Sequence, residues 1–456
     1  MHLPGKLLQS LEGIKGFDRD AFEEIHVSGE QVTSIRLNPF KLSGSSKALS
    51  FGEGLGEVAW TEYGYYLKAR PSFTFDPLFH AGCYYVQEAS SMFIEQAFRQ
   101  AVDLSRPLKV LDISAAPGGK STHIQSLISK DSLLVSNEVI RSRANILKDN
   151  IIKWGCENVI VTNNDPKDFG RLENYFDVIV IDAPCSGSGL FRREPEAIDE
   201  WSENNVALCS RRQQRIVADV LPALKKEGLL IYSTCSYSRE EDEDIMDWMA
   251  SELGVESLEL RVDESWAITK THSGSGALGY RFWPDKVRGE GFFIACFKKT
   301  NGEAGSFAKI KTKAGAVTKK ETELIEKWMS KPGYHLMKYE NTVYAWPMKL
   351  ADAMNYILSN LRVIYSGVRM GELMRDKLVP DHALAVSKLV NDSISRVELN
   401  DEQAIQYLQR KEMDMTIKEK GWQLVNYQGY SLGWVNALPG RINNYYPKEL
   451  RILKDK

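Results

Sequence analysis

Between residues 101 and 300, apolar runs alternate with helix-like stretches at regular spacing. The runs predict strands at 108–113, 132–137, 157–162, 176–182, 228–234, 257–261 and 291–298, the last closed by Lys298-Lys299. Strands alternating with helices argue a mostly parallel sheet covered on both faces, so the expected core is α/β and Rossmann-like, with seven strands. Residues 1–100 read as a small α/β segment leading into that core, with helices at Lys6–Leu11 and Asp18–Ile25 and strands at Thr33–Leu37 and Gly64–Leu67. Residues 301–320 read as a Lys-rich linker carrying Lys309, Lys311, Lys313, Lys319 and Lys320, a solvated tether or a phosphate-contacting strap. Beyond it, 321–456 starts with a helix at Thr322–Met329. Short strands follow at Thr342–Trp346, Arg362–Tyr365, Gln423–Asn426 and Tyr430–Trp434.

Two of the core strands end in cysteine motifs fifty residues apart, Asp182-Ala183-Pro184-Cys185-Ser186-Gly187 and Ser233-Thr234-Cys235-Ser236. In an open α/β sheet, ligands and chemistry gather at the carboxyl ends of the strands. A cysteine that only filled a core would lie within its strand. Two thiols just past two strand ends suggest covalent catalysis, one to attack and one to help release product. The residues alone do not say which attacks.

A third motif follows the first core strand: Val110-Leu111-Asp112-Ile113-Ser114-Ala115-Ala116-Pro117-Gly118-Gly119-Lys120-Ser121-Thr122, read as strand, tight turn and helix start. Glycine lets backbone approach a ligand closely, and a helix N-terminus offers free N–H groups. A P-loop would need glycine where Ser114 stands, and the three spaced glycines of a dinucleotide fingerprint are absent. The next strand ends at Glu138, 18 residues after Lys120, where an acid can grip ribose hydroxyls. The third leads to Asn163-Asn164-Asp165, where a carboxylate can accept from an adenine amino group, and the fourth delivers Asp182.

Composition narrows the setting. No 18-residue apolar stretch and no signal-peptide apolar region occur, so a cytoplasmic protein away from membranes is expected. The six cysteines (83, 156, 185, 209, 235 and 296) form no Cys-x-x-Cys pair, which predicts neither a structural metal nor a disulfide framework. Net charge is −3, but residues 301–456 balance at +6 and residues 1–300 at −9, which makes the tail the natural part to meet phosphate.

The motifs together resemble the Nol/Nop/Sun family of S-adenosylmethionine-dependent RNA cytosine-5 methyltransferases. The resemblance rests on Ala115–Lys120, the Glu138…Arg143 segment, the two cysteine motifs, Tyr84-Tyr85-Val86-Gln87-Glu88-Ala89-Ser90-Ser91-Met92 and Gly289-Glu290-Gly291-Phe292-Phe293-Ile294-Ala295, and covers about residues 76–300. In the tail, Pro380–Ala385 and Asn443-Asn444-Tyr445-Tyr446-Pro447 are similar to the bacterial RsmF-like subgroup acting on small-subunit ribosomal RNA. Ile35-Arg36-Leu37-Asn38 departs from the Arg-Val-Asn-Thr-like run more usual in the family. The resemblance implies a methyltransferase sheet followed by an RNA-binding tail, PUA-like (pseudouridine-synthase-and-archaeosine-transglycosylase-like) and β-rich toward its end. It also implies S-adenosylmethionine as cofactor and RNA as partner: small-subunit rRNA or the assembling 30S subunit, met by a monomer. The same chemistry on tRNA, or a non-catalytic RNA-binding assembly factor, are the alternatives.

Carbon 5 of cytosine is too weak a nucleophile to take a methyl group unaided. A thiolate adding to carbon 6 makes it one, and a thiol ionises far more readily than a hydroxyl. The resemblance implies Cys235 as nucleophile, Cys185 in product release, Asp182 on the ring nitrogen and amine, and Lys120 at the target. It places Ser114, Ala115, Ala116, Pro117, Gly118, Gly119 and Lys120 around the methionine part of the cofactor, Glu138 on the ribose, Asp165 on the adenine, and Asp182 also beside the cofactor. Arg143 is as much a brace for Glu138 as a contact. A stacked cytosine must be flipped out or unpaired to expose carbon 6. Gly187-Ser188-Gly189-Leu190-Phe191-Arg192-Arg193 is therefore a candidate RNA clamp, and Arg281-Phe282-Trp283-Pro284 a second candidate surface. Cys83, Cys156, Cys209 and Cys296 read as structural.

Overall fold

The computed structural model describes residues 2–42, 56–302, 315–413 and 419–455. Two helices lead, α1 (Gly5–Leu11) and α2 (Arg19–Val27). Asp18 starts α2 by accepting from the Ala21 N–H at 3.2 Å, which satisfies one free donor of the helix end. Leu7, Leu8, Leu11 and Phe22 are buried together with Phe191, Trp201, Tyr237 and Trp283, so this first layer seats on loops of the central region. An antiparallel sheet ordered β2-β3-β1-β4 follows, from β1 (Thr33–Leu37), β2 (Gly56–Glu57), β3 (Gly64–Leu67) and β4 (Tyr84–Val86). With α3 (Pro77–His80) and α4 (Ile94–Ala101) it makes up the expected α/β N-terminal segment.

The chain then alternates as its apolar runs predict: β5 (Lys109–Asp112), α5 (Gly119–Leu127), β6 (Leu133–Asn137), α6 (Arg141–Trp154), β7 (Val159–Thr162), β8 (Phe176–Asp182), α7 (Ala197–Glu200), α8 (Glu203–Val220), β9 (Leu224–Thr234) and α9 (Glu243–Glu252). The five strands lie parallel in the order β7-β6-β5-β8-β9. Leu111 pairs with Val135 on one side and Ile179 on the other, and Asp182 pairs with Ser233. Ile124, Leu147 and Ile151 of α5 and α6 bury against one face, while Ile216 and Val217 of α8 and Met246 and Met249 of α9 bury against the other. Covering both faces explains why these strands read as continuous apolar runs rather than alternating ones.

The sheet is larger than the seven strands expected. Ten strands join it: β10 (Val255–Leu258), the hairpin β11 (Thr269–His272) and β12 (Leu278–Phe282), and β13 (Phe292–Lys299) extend it antiparallel beyond β9. The strand expected at 257–261 is β10, shifted toward its N-terminal side. β11 was not legible because Thr269-Lys270-Thr271-His272 is a polar sheet edge with no apolar alternation.

After β14 (Gly315–Ala316) come α10 (Lys319–Glu326), β15 (Tyr334–Tyr339), β16 (Thr342–Pro347) and α11 (Ala351–Asn360). The tenth strand of the central sheet, β17 (Val363–Ser366), belongs to this tail. It pairs antiparallel with β7, Tyr365 opposite Val161, and Tyr356 stacks on Tyr175 at 4.9 Å. The tail thus completes an edge of the central sheet. Lys309, Lys311 and Lys313 of the proposed linker lie outside the described residues. β18 (Val368–Met374) and β19 (Lys377–Pro380) finish a sheet ordered β14-β15-β16-β18-β19. After α12 (His382–Val386), a last sheet is built from β20 (Arg396–Leu399), β21 (Gly421–Tyr427), β22 (Tyr430–Leu438) and β23 (Arg441–Asn444), with α13 (Asp401–Gln409) between its first two strands. Among the described residues no helix is long and apolar enough to cross a membrane.

Candidate active site

The carboxyl ends of β5, β6, β8 and β9 bring the motif residues to one edge. β5 ends at Asp112, and the chain turns through Ser114–Gly118 into α5. Ala115 N–H donates to the Asn137 carbonyl at 2.8 Å, which ties the turn to the end of β6. Gly118 has φ +119° and lies under α6, where an added Cβ would stand 3.3 Å from Leu147 Cδ1. Asp112 is fully buried, accepts from Ser121 Oγ at 2.7 Å, and has a second oxygen with no hydrogen-bond partner among the described residues. Burial pushes its carboxyl up to about 7.

Glu138 lies just beyond β6, 3% exposed, accepting from the Ile140 N–H at 2.9 Å. Arg143 stands 3.6 Å from it and donates to the Ala116 carbonyl at 2.9 Å, so it braces both the acid and the turn. Asp165, beyond β7, is half-buried and accepts from the Lys167 N–H at 3.2 Å. It shares the edge without touching the other site residues.

At the other end of the edge, Lys120 Nζ lies 2.8 Å from Asp182 Oδ2 and 5.3 Å from the centre of the Phe292 ring. Burial works against the Lys120 charge, but Asp182, Asp112 and Cys235 outweigh it and hold its pKa above the ordinary value. Ser233 Oγ donates to the other oxygen of Asp182 at 3.1 Å. The two sulfurs, Cys185 Sγ and Cys235 Sγ, are 3.1 Å apart. The bond to Cys235, and then burial, push the Cys185 thiol well above its ordinary range, which keeps its proton in place.

Of the two surfaces expected to meet RNA, the second is interior and the first largely so. Phe191 is fully buried; Arg192 is 6% exposed and donates to the carbonyls of Gly289 at 3.3 Å and Glu30 at 2.7 Å, leaving only Arg193 of the pair exposed. Gly189 serves close packing, since a Cβ there would stand 2.6 Å from the Gly291 carbonyl and 2.7 Å from that of Cys235. Arg281, Phe282 and Trp283 are likewise buried, Arg281 against Asp242 and Glu243. Of the cysteines read as structural, Cys83, Cys209 and Cys296 are buried and Cys156 is half-buried.

Other residues around the site were given no role in the sequence, Arg36 being noted only within a run that departs from the family pattern. Arg36 is fully buried, donates to Thr122 Oγ1 at 2.6 Å, to Ser126 and to Gln87, and lies over the Trp154 ring, so it clamps α5 to the N-terminal sheet. Glu241, Asp242 and Glu243 are buried although Glu240–Asp244 reads as a solvated acidic run.

A parallel αβ sheet with a glycine turn at one helix start, strand-end acids and two touching thiols is the architecture of a methyltransferase. Comparison with known proteins identifies the kind. The family model described as 16S rRNA methyltransferase RsmB/F matches residues 100–298; those of the RsmF N-terminal and PUA domains match 3–89 and 395–452. A ribosomal RNA small subunit methyltransferase F of Psychromonas ingrahamii is 31% identical, covering 91% of this chain and 90% of its own. One of Vibrio parahaemolyticus is 31% identical over 93% and 91%. A solved methyltransferase homolog from Pyrococcus horikoshii superposes with a TM-score of 0.51 at 28% identity, over 65% of this chain and 100% of its own. NSun6 from the same organism superposes at 0.54 with 19% identity, over 66% and 99%, a likeness of fold. The chain belongs to the RsmB/F family of 16S rRNA methyltransferases. The α/β class, the PUA-like end and the family read from the motifs are borne out.

Proposed function

We propose that this protein methylates small-subunit ribosomal RNA with S-adenosylmethionine, at carbon 5 of cytosine, through a covalent adduct between Cys235 and carbon 6. The observation that carries this reading is the pair of sulfurs 3.1 Å apart, beside the Lys120–Asp182 pair and across from the glycine turn. A methyltransferase attacking oxygen or nitrogen has no use for two thiols at that position.

The cofactor end fits a nucleoside with a cationic sulfonium. The first turn of α5 offers free N–H groups above a turn that glycine keeps open, Glu138 can accept from ribose hydroxyls, and Asp112 keeps an unpartnered oxygen behind the turn. When bound, S-adenosylmethionine supplies an electrophilic methyl group. Ser114–Lys120 would hold its methionine part, Glu138 its ribose and Asp165 its adenine.

At the target end, Cys235 adds to carbon 6 while Asp182, oriented by Lys120 and Ser233, accepts from the exocyclic amine and favours protonation of the ring nitrogen, which neutralises the charge that addition creates. Carbon 5 thereby becomes the nucleophile. After methyl transfer the carbon 5 proton passes to water and the carbon 6–sulfur bond breaks with its electrons returning to Cys235; the Cys185 thiol, 3.1 Å away, hydrogen-bonds the departing thiolate.

Exchanging each cysteine tests the assignment. Cys235→Ala should abolish methyl transfer and leave cofactor affinity unchanged. Cys185→Ala should accumulate a protein–RNA adduct on a denaturing gel with labelled RNA. An adduct in the Cys235 variant and none in the Cys185 variant would reverse the roles. Bisulfite mapping of ribosomal RNA with and without the gene identifies the base. Glu138→Ala removes a charge-assisted bond of roughly 1.5–3 kcal/mol, so calorimetry should read cofactor binding about tenfold or more weaker.

A further inference from the structure

Each cysteine of the pair is followed by a serine, and the two serines meet at one carboxylate. Glu241, in the short turn after the Thr-Cys motif, is fully buried. It accepts from the Ser186 N–H at 2.8 Å, from Ser186 Oγ, from Ser236 Oγ at 2.6 Å and from Gln213 Nε2 at 3.0 Å. Gln213, from α8, also donates to the Pro184 carbonyl at 3.1 Å, one residue before Cys185. The Glu241 carbonyl accepts from the Tyr232 hydroxyl at 2.7 Å, which fixes the turn to β9. The carboxylate therefore knots together the loops after β8 and β9 from behind, while the two sulfurs touch in front.

We propose that Glu241 is a positioning residue, whose carboxylate sets the contact distance between the Cys185 and Cys235 sulfurs. This deepens the reading above, in which Cys235 adds to the base and Cys185 assists release. A carboxylate is the side chain the geometry requires: it donates nothing and has about four acceptor sites for four donors. Glutamine at the same place keeps one acceptor oxygen for the Ser186 N–H and Gln213, but its amide obliges both serine hydroxyls to turn and accept. All four charge-assisted bonds then become neutral ones and the loops loosen.

Disulfide formation in the full chain measures the distance without relying on catalysis. Diamide takes two hydrogens from the Cys185 and Cys235 thiols, becoming the hydrazine as the S–S bond forms, and the rate follows how closely the sulfurs are held. Glu241→Gln should slow this reaction about tenfold or more and lower kcat for methyl transfer in parallel, with KM for S-adenosylmethionine and RNA within about twofold. Ser186→Ala and Ser236→Ala, each removing one donor, should show smaller losses of the same kind and replace Glu241→Gln should it fail to fold. Glu95→Gln, at a buried carboxylate bound to Thr61, His123 and Arg99, supplies a comparison for general loosening and should leave the disulfide rate unchanged. An unchanged rate in Glu241→Gln, or equal slowing in Glu95→Gln, overturns the proposal. Should the wild type form no RNA adduct, the cytosine chemistry fails while the disulfide rate still decides the role of Glu241.

Discussion

Around the catalytic edge, charges are paired inside the protein; in the tail the corresponding pairs face water. The Arg281 side chain is 2% exposed and lies against Asp242, itself 0% exposed, and Glu243. The Lys320–Asp376 pair of the tail is 81% and 76% exposed, and the Lys411–Asp455 pair 55% and 86%. An interior pair must be complete, because a lone buried charge has neither water nor partner. A surface pair is screened and contributes little. The difference is one of rigidity. Interior pairing fixes the turn that follows Cys235. Surface charge, in a region whose balance is +6, stays in contact with water and small ions.

The sharpest break of this comparison is Arg281→Ala. It leaves Asp242 and Glu243 buried and unpaired and takes the Arg281 hydrogen bond from the Tyr237 carbonyl, two residues after Cys235. Urea unfolding should show a loss of about 3–5 kcal/mol. A loss under 1 kcal/mol, in the range of exposed pairs, would erase the distinction drawn here.

His382 tests whether the tail's interior obeys the same rule as the catalytic edge. It is half-buried, its enclosed Nδ1 has no hydrogen-bond partner among the described residues, and its ring meets Tyr446 edge-on. Burial, helped by Lys41 and His80, lowers its pKa to about 3. Its folded pKa lies below the unfolded value of 6.5, so its contribution is whole above 6.5 and is lost as pH falls toward about 3. Its share of that loss over the first unit below 6.5 is about 1 kcal/mol. His382→Gln should flatten the stability profile in that window by this amount; an unaltered slope would show the ring is protonated or solvated in the fold.

Lys320→Ala should have the smallest effect, with no resolvable change by the same unfolding measurement. A loss near that of Arg281→Ala would mean that the tail too is held by its ion pairs.

Much of the fold was legible because its signals are local. Fully buried parallel strands write themselves as unbroken apolar runs such as Val178–Ile181, and a turn that bends under a helix N-terminus needs Gly118 at its left-handed position. The same locality revealed Cys185, Cys235, Asp182, Lys120 and Glu138 as strand-end groups. A polar edge strand such as Thr269–His272 leaves no such trace. Nor does a strand like Val363–Ser366 say which sheet it joins, since backbone pairing to Val161 carries no side-chain code. Half of the predicted RNA clamp was misread for a related reason. Arg192 beside glycines looks mobile and exposed until Glu30, Gly289 and Glu290 arrive from elsewhere in the chain to enclose it, while Arg193 stays exposed.

By itself, then, the sequence determined the alternation of elements, the reactive groups and the edge on which they gather, because each depends on residues within a few positions of one another. Only the tertiary structure decided that the sulfurs touch, that Glu241 ties their loops, that Arg36 locks α5, and that the tail closes the sheet. Those outcomes depend on partners 5 to 200 residues away, and a charged side chain declares itself buried only when the groups that satisfy it have come together.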